Sequence, residues 1–131
     1  MRSERASKQG VVLDAGAFIE LEKRNAVVVH LVDRLADEQI PLVTSAGVVA
    51  QVWRGGSGAQ VAVTFLLRRT QVIDLTYAMA RVIGRMLGAT GATDPVDAHV
   101  VLIARERGWP VLSSDADDLH AIDPHLEVQR F

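Results

Sequence analysis

Two hydrophobic rhythms alternate along this chain. Short apolar runs, Val11 to Leu13, Ile40 to Val43, Gln71 to Leu75, Pro110 to Leu112 and Leu126 to Gln129, read as strands, the last at a sheet edge. Between them the apolar residues recur at helical spacing. Val28, Leu31, Val32 and Leu35 stand at i, i+3, i+4 and i+7 and predict a helix over Ala26 to Gln39. Ala15 to Lys23, Gly58 to Arg69 and Thr76 to Leu87 carry similar spacing, and Ser45 can cap a helix that ends near the turn Gly55-Gly56-Ser57-Gly58. Asp94 before Pro95 is a cap with proline at the first helical position. It starts a helix that runs to about Arg107, where Gly108 stops it. Strands alternating with helices predict an α/β domain in which a mostly parallel sheet is covered on both faces. In open sheets of this kind, ligands bind beyond the carboxyl ends of the strands.

At 131 residues the chain is expected to form a single domain, residues 1–131, with residues 1–9 as a flexible polar N-terminal segment. Half the residues are apolar but only 5% are aromatic, which suits a core of Val, Leu, Ile and Ala. Cysteine is absent, so disulfides, thiolate metal sites and cysteine nucleophiles are excluded. No apolar run approaches the ~20 residues that cross a bilayer, and the expected location is the cytoplasm.

The net charge of -2 hides an uneven distribution. From Gly47 to Ala92, Arg54, Arg68, Arg69, Arg81 and Arg85 face only Asp74, whereas Thr93 to Phe131 carries eight acids against three arginines. A basic middle beside an acidic end suits arginines on phosphates and carboxylates on a metal. The same arginines could equally be the solvated faces of two helices.

Three acidic segments carry the candidate chemistry: Val-Val-Leu-Asp14, Thr-Asp94-Pro-Val-Asp97-Ala-His and Leu-Ser-Ser-Asp115-Ala-Asp117-Asp118. Asp14 and Asp115 follow strands, and Asp94 and Asp97 share the first turn of a helix, so all three segments can meet at one sheet edge. Clustered carboxylates repel one another unless a cation holds them, which points to Mg²⁺ or Mn²⁺. Taken singly, each acid also has a structural reading as a helix cap or a solvated loop residue. An EF-hand loop fails because His120 stands where glycine is required, and the four histidines show no zinc spacing. A phosphate-binding Gly-Lys-Ser/Thr loop, a dinucleotide fingerprint and a Gly-x-Ser-x-Gly elbow are all missing.

Taken in order, Val-Leu-Asp14, Asp97-Ala-His-Val-Val-Leu-Ile-Ala and Val-Leu-Ser-Ser-Asp115-Ala-Asp117-Asp118-Leu resemble the PIN-domain ribonucleases, in particular the VapC-type toxins of bacterial toxin–antitoxin pairs. The resemblance runs from about Val11 to Phe131. It implies a three-layer α/β/α fold with about five strands in a central, mostly parallel sheet, and Mg²⁺- or Mn²⁺-dependent cleavage of RNA by a metal-activated water. Asp14, Asp97 and Asp115 would then hold the metal, with Asp94, Asp118 and Gln51 as further candidate ligands. A homodimer and a small antitoxin protein are implied as well. The five arginines are candidate phosphate contacts, and Trp53 could stack on a base.

Gln51 is the departure from the family pattern, because such proteins usually carry a glutamate at this point of the helix after the second strand. An amide can offer its carbonyl oxygen but supplies no negative charge and cannot act as a base. The alternative reading is therefore a PIN-like RNA- or protein-binding module with weakened or lost catalysis. A related metal-dependent phosphatase or DNA nuclease also fits the carboxylates. A phosphoacceptor receiver domain does not, since it needs a lysine after a late strand and the only lysines are Lys8 and Lys23.

Overall fold

The computed structural model describes residues 9–131; the greater part of the expected N-terminal segment lies outside the described residues. The chain begins with strand β1 (Val11–Leu13), followed by helices α1 (Ala15–Glu22) and α2 (Ala26–Asp37). Strand β2 (Leu42–Ser45), helix α3 (Ala46–Val52), a 3-10 turn at Gly58–Gln60, helix α4 (Val61–Arg68) and strand β3 (Thr70–Ile73) come next. Helices α5 (Tyr77–Thr90) and α6 (Pro95–Arg107) precede strand β4 (Val111–Ser113), helix α7 (Ala116–Ile122) and strand β5 (Val128–Arg130).

All strand pairs are parallel, in the order β3-β2-β1-β4-β5. The chain fills one side of β1 first, with β2 and β3, and then crosses to the other side for β4 and β5. The strand order therefore reverses between β1 and β4, the kind of switch point where α/β sheets bind ligands. Leu13 pairs with both Thr44 and Leu112, so the carboxyl ends of β1, β2 and β4 lie level. Helices above and below this five-stranded sheet complete an α/β/α arrangement, as predicted. Among the described residues, no helix is long and apolar enough to cross a membrane.

Helix α6 is the central buried element. Ala98, His99, Val100, Val101, Ile103 and Ala104 are all buried, which leaves little of its circumference for water. It packs along β1, β2 and β4, with α5 and α7 beside it, while α1 packs against α2, α3, α4 and β4. The local signals at its ends hold: Asp94 caps through hydrogen bonds from the Val96 and Asp97 amides, Pro95 opens the helix, and Gly108 closes it with φ 69°.

Several boundaries differ from the sequence pattern, each for a reason of register. The second strand starts at Leu42 rather than Ile40, because the Ile40 amide bonds back to Leu35 at the end of α2. It runs on through Thr44 and Ser45, which pair with Val72 and Ile73. The third strand is Thr70–Ile73 rather than Gln71 to Leu75, since Leu42 pairs with Thr70. The fourth takes in Ser113, which pairs with Arg130 on the edge strand β5. Helix α3 stops at Val52, as Trp53 is extended, and α5 continues to Thr90 before Gly91 turns left-handed at φ 77°. Asp115 to Asp118 are not a loop throughout: Asp115 precedes α7, which buries Ala116, Leu119 and Ile122.

Candidate metal centre and its surroundings

The site starts from the strand ends. Asp14 directly follows β1 and is only 6% exposed. It caps α1, accepting from the Ala17 amide at Oδ1 (3.3 Å), while its other oxygen accepts a short hydrogen bond from the Ser113 hydroxyl at the end of β4. Burial pushes the Asp14 carboxyl up, against the lowering effect of the bonds from Ser113, Ala17 and Gly16. The carboxylate keeps one lone pair for a further partner. Gly16 permits this crowding, since a Cβ there would stand 2.5 Å from the Ser114 hydroxyl and 3.2 Å from Asp14 Oδ1.

Asp97 reaches the same region from the first turn of α6. Its carboxyl is pushed up to about 7, first by burial and then by the negative charges of Asp94, Asp118, Asp14 and Asp115. Asp97 thus stands close enough to the four other acids to feel their charge. Asp115 and Asp118 are exposed and share a hydrogen bond, which, together with partial burial and the neighbouring charges, raises Asp115. A cleft of about 350 Å³ opens beside them, lined by Asp94, Asp97 and Asp118 with Ala92, Ala121 and Ile122. Asp117 points elsewhere, towards Arg130 at 3.6 Å.

These oxygen donors are of the type that Mg²⁺ and Mn²⁺ take, and a divalent cation would offset the burial and repulsion that raise Asp97. The donors are not drawn into a ready-made shell: among the described residues, no group of three His, Cys, Asp or Glu side chains is close enough to hold an ion. Asp14 is fixed by its hydrogen bonds, whereas Asp115 and Asp118 are exposed and bonded to each other. The donor set thus fits a hard cation in its chemistry.

Gln51 is exposed, on α3. It shares a helix face with Gly47, which lies against Val96 beside Asp97. Beneath these groups runs a buried polar network that the sequence pattern did not flag. Thr44 donates to the Leu13 carbonyl (2.6 Å), and Ser45 Oγ lies 2.7 Å from His99 Nδ1 while capping α3 at the Gly47 amide. His99 is fully buried, which lowers its pKa, and its Nε2 has no hydrogen-bond partner among the described residues.

The five arginines do not form one patch. Arg68 lines a depression of about 540 Å³ together with Val49, Trp53, Leu67 and Val72. Arg54, next to Trp53, donates to the Ala50 and Trp53 carbonyls. Arg69 lines a separate hollow between α1, α2 and α4, and Arg81 lies over the Tyr77 ring on α5. Arg85 is exposed on α5. Buried Gln60 holds the loop that presents Trp53, accepting from the Arg54 and Gly56 amides and donating to the Val52 carbonyl.

A three-layer α/β/α fold with carboxylates gathered at the β1/β4 switch point defines an acidic-site α/β protein. The PIN domain family model matches residues 11–123, and the chain belongs to that family. Its fold is similar to that of VapBC2 from Rickettsia felis, solved bound to a DNA fragment from their promoter, with a TM-score of 0.70 at 15% identity over 92% of this chain and 98% of that one. It is also similar to FitAB bound to an IR36 DNA fragment, with a TM-score of 0.63 at 18% identity over 92% and 94% of the two chains. No curated protein matches the sequence.

Proposed function

We propose that this protein is a metal-dependent endoribonuclease, the toxin of a type II toxin–antitoxin pair. The observation that carries the reading is the convergence of acids from three separate segments, with Asp94, Asp97 and Asp118 lining one cleft and with buried Asp14 and exposed Asp115 close enough to act on Asp97. Membership of the PIN domain family supports nuclease chemistry, and the fold shared with VapBC2 supports an antitoxin partner. The resemblance to VapC-type toxins implies in addition a homodimer acting in the cytoplasm.

In this reading Asp14, Asp97 and Asp115 hold Mg²⁺ or Mn²⁺, with Asp94 and Asp118 in reserve. The cation would lower the pKa of an attacking water and offset the charge that builds on the phosphate. The chain's own contribution is positional. Asp14 is fixed by Ser113 and the start of α1, and Asp97 by the cap of α6. Arg68 lines the depression beside Trp53, with Arg54 next to that ring, and a single strand laid there would put the arginines on phosphates and the ring on a base.

Cleavage of a defined single-stranded RNA pool tests the reading. Wild-type protein with Mg²⁺ or Mn²⁺ is expected to cut, and chelator or Asp97→Asn to abolish cutting. Well-folded wild-type protein that leaves the RNA intact with either metal would favour the second reading, a PIN-like binding module. That reading draws on neutral, exposed Gln51 at the position where the family usually has an acid.

A further inference from the structure

One buried imidazole ties α6 to the turn that opens α3. His99, in the second turn of α6, and Ser45, the last residue of β2, are both fully buried. Ser45 Oγ lies 2.7 Å from His99 Nδ1 and accepts from the Gly47 amide at 3.0 Å. The short contact can run in either direction. A hydroxyl offers one proton and two lone pairs, and a neutral imidazole offers one donor and one acceptor. Were the ring to donate at Nδ1, the Ser45 proton would have no acceptor among the described residues, and the Nε2 lone pair would be unmet as well. With Ser45 donating, only the Nε2–H is unmet. Buried polar groups are rarely left without partners, so the arrangement with fewer unmet groups is favoured. An apolar side chain would fill position 99 without burying that N–H. What the imidazole adds is the acceptor that holds the Ser45 hydroxyl to α6.

We infer that His99 is a positioning residue: its Nδ1 accepts the Ser45 hydroxyl, which in turn seats the Gly47 amide, and so clamps the opening of α3 onto α6. Gly47 is the residue that packs against Val96 in the first turn of α6, and Gln51 lies on the same face of α3. The clamp therefore sets where position 51 stands relative to the acids that begin α6. Its bearing on cation binding rests on the reading of those acids as a cation centre, whereas the direction of the hydrogen bond concerns this chain alone.

The test compares the full chain with His99→Leu, which removes the acceptor, and His99→Asn, whose side-chain carbonyl oxygen can replace Nδ1. Two-bond ¹H–¹⁵N couplings of the imidazole in the metal-free protein should show the His99 proton on Nε2. The Gly47 amide should exchange with solvent roughly fivefold faster in His99→Leu, as when a helix cap is undone, and return to the wild-type rate in His99→Asn. By calorimetry, Gln51→Glu should raise Mn²⁺ affinity about tenfold in the wild-type background, about threefold or less beside His99→Leu, and about tenfold again beside His99→Asn. A proton on Nδ1, or a Gly47 exchange rate unchanged in His99→Leu, would overturn the inference whether or not metal binds. So would an undiminished gain from Gln51→Glu beside His99→Leu. Wild-type protein that binds no Mn²⁺, or a Gln51→Glu protein that gains nothing, would instead count against the cation reading, leaving the tautomer and the Gly47 exchange rate to decide the role of His99. Should His99→Leu fail to fold, His99→Met, which fills the space adaptably and is only a weak acceptor, makes the same comparison.

Discussion

Gly47 lies so close to Val96 that a Cβ at position 47 would stand 2.9 Å from Val96 Cγ2. This approach sets α3 against the first turn of α6, and Gln51, four residues on, lies on the same face of α3 as Gly47. An acid at position 51 would add a charged donor to the cluster. Gln51→Glu is expected to tighten Mn²⁺ binding roughly tenfold, equivalent to about 1.4 kcal/mol. Equal affinities by calorimetry would place residue 51 outside the site.

The raised carboxyls set a pH dependence for the metal-free protein. Asp97 is pushed from the ordinary 3.8 up to about 7, so between these values the folded chain holds a proton that the unfolded chain has released. Stability contributed in this way is complete below about pH 4 and is lost as pH rises through 7. Asp14 and Asp115, also raised, act in the same direction. Thermal midpoints without metal should therefore fall between pH 5 and pH 8, and Asp97→Asn should flatten the fall. A wild-type midpoint that falls no more than that of the variant over this interval would contradict the assignment.

Gly16 is needed for lack of a side chain. Alanine there would press its Cβ onto the Ser114 hydroxyl at 2.5 Å and crowd Asp14. Gly16→Ala is expected to cost about 1–3 kcal/mol in chemical denaturation, the usual range for overpacking. Unaltered stability would mean that the Ser114 loop yields without strain.

Arg68 separates specific electrostatics from general solubility. Its guanidinium lies over the Phe65 ring and lines the Trp53 depression. If it contacts one phosphate, Arg68→Ala should weaken RNA binding and reduce the slope of log affinity against log salt by about 1. Arg69, which lines the hollow on the other side of α4, is the internal control and should leave the slope unchanged.

Local signals carried the sequence reading furthest where structure is decided locally. Asp94-Pro95 and Gly108 mark both ends of α6 because caps and left-handed stops act within a turn. Strand limits moved by one to two residues because register depends on partners such as Thr44 and Val72, far apart in sequence. Helix α7 was hidden because its buried positions, Ala116, Leu119 and Ile122, are spaced among acids that suggest a loop. The acidic segments were visible as residue types. Ser113 was not, since its partner Asp14 lies 99 positions away and a serine beside a strand resembles any turn residue. The Ser45 and His99 pair was hidden for the same reason.

The central claim, that Asp14, Asp97 and Asp115 form a cation site, is tested most directly by titrating Mn²⁺ into the metal-free protein while following electron paramagnetic resonance and thermal stability. Wild type should bind and gain stability, because the cation offsets the burial and the repulsion that together raise Asp97 to about 7. Asp14→Asn and Asp97→Asn should lose both responses. Wild-type protein that neither binds nor gains stability, or an Asp97→Asn protein that binds as well as wild type, would contradict the account.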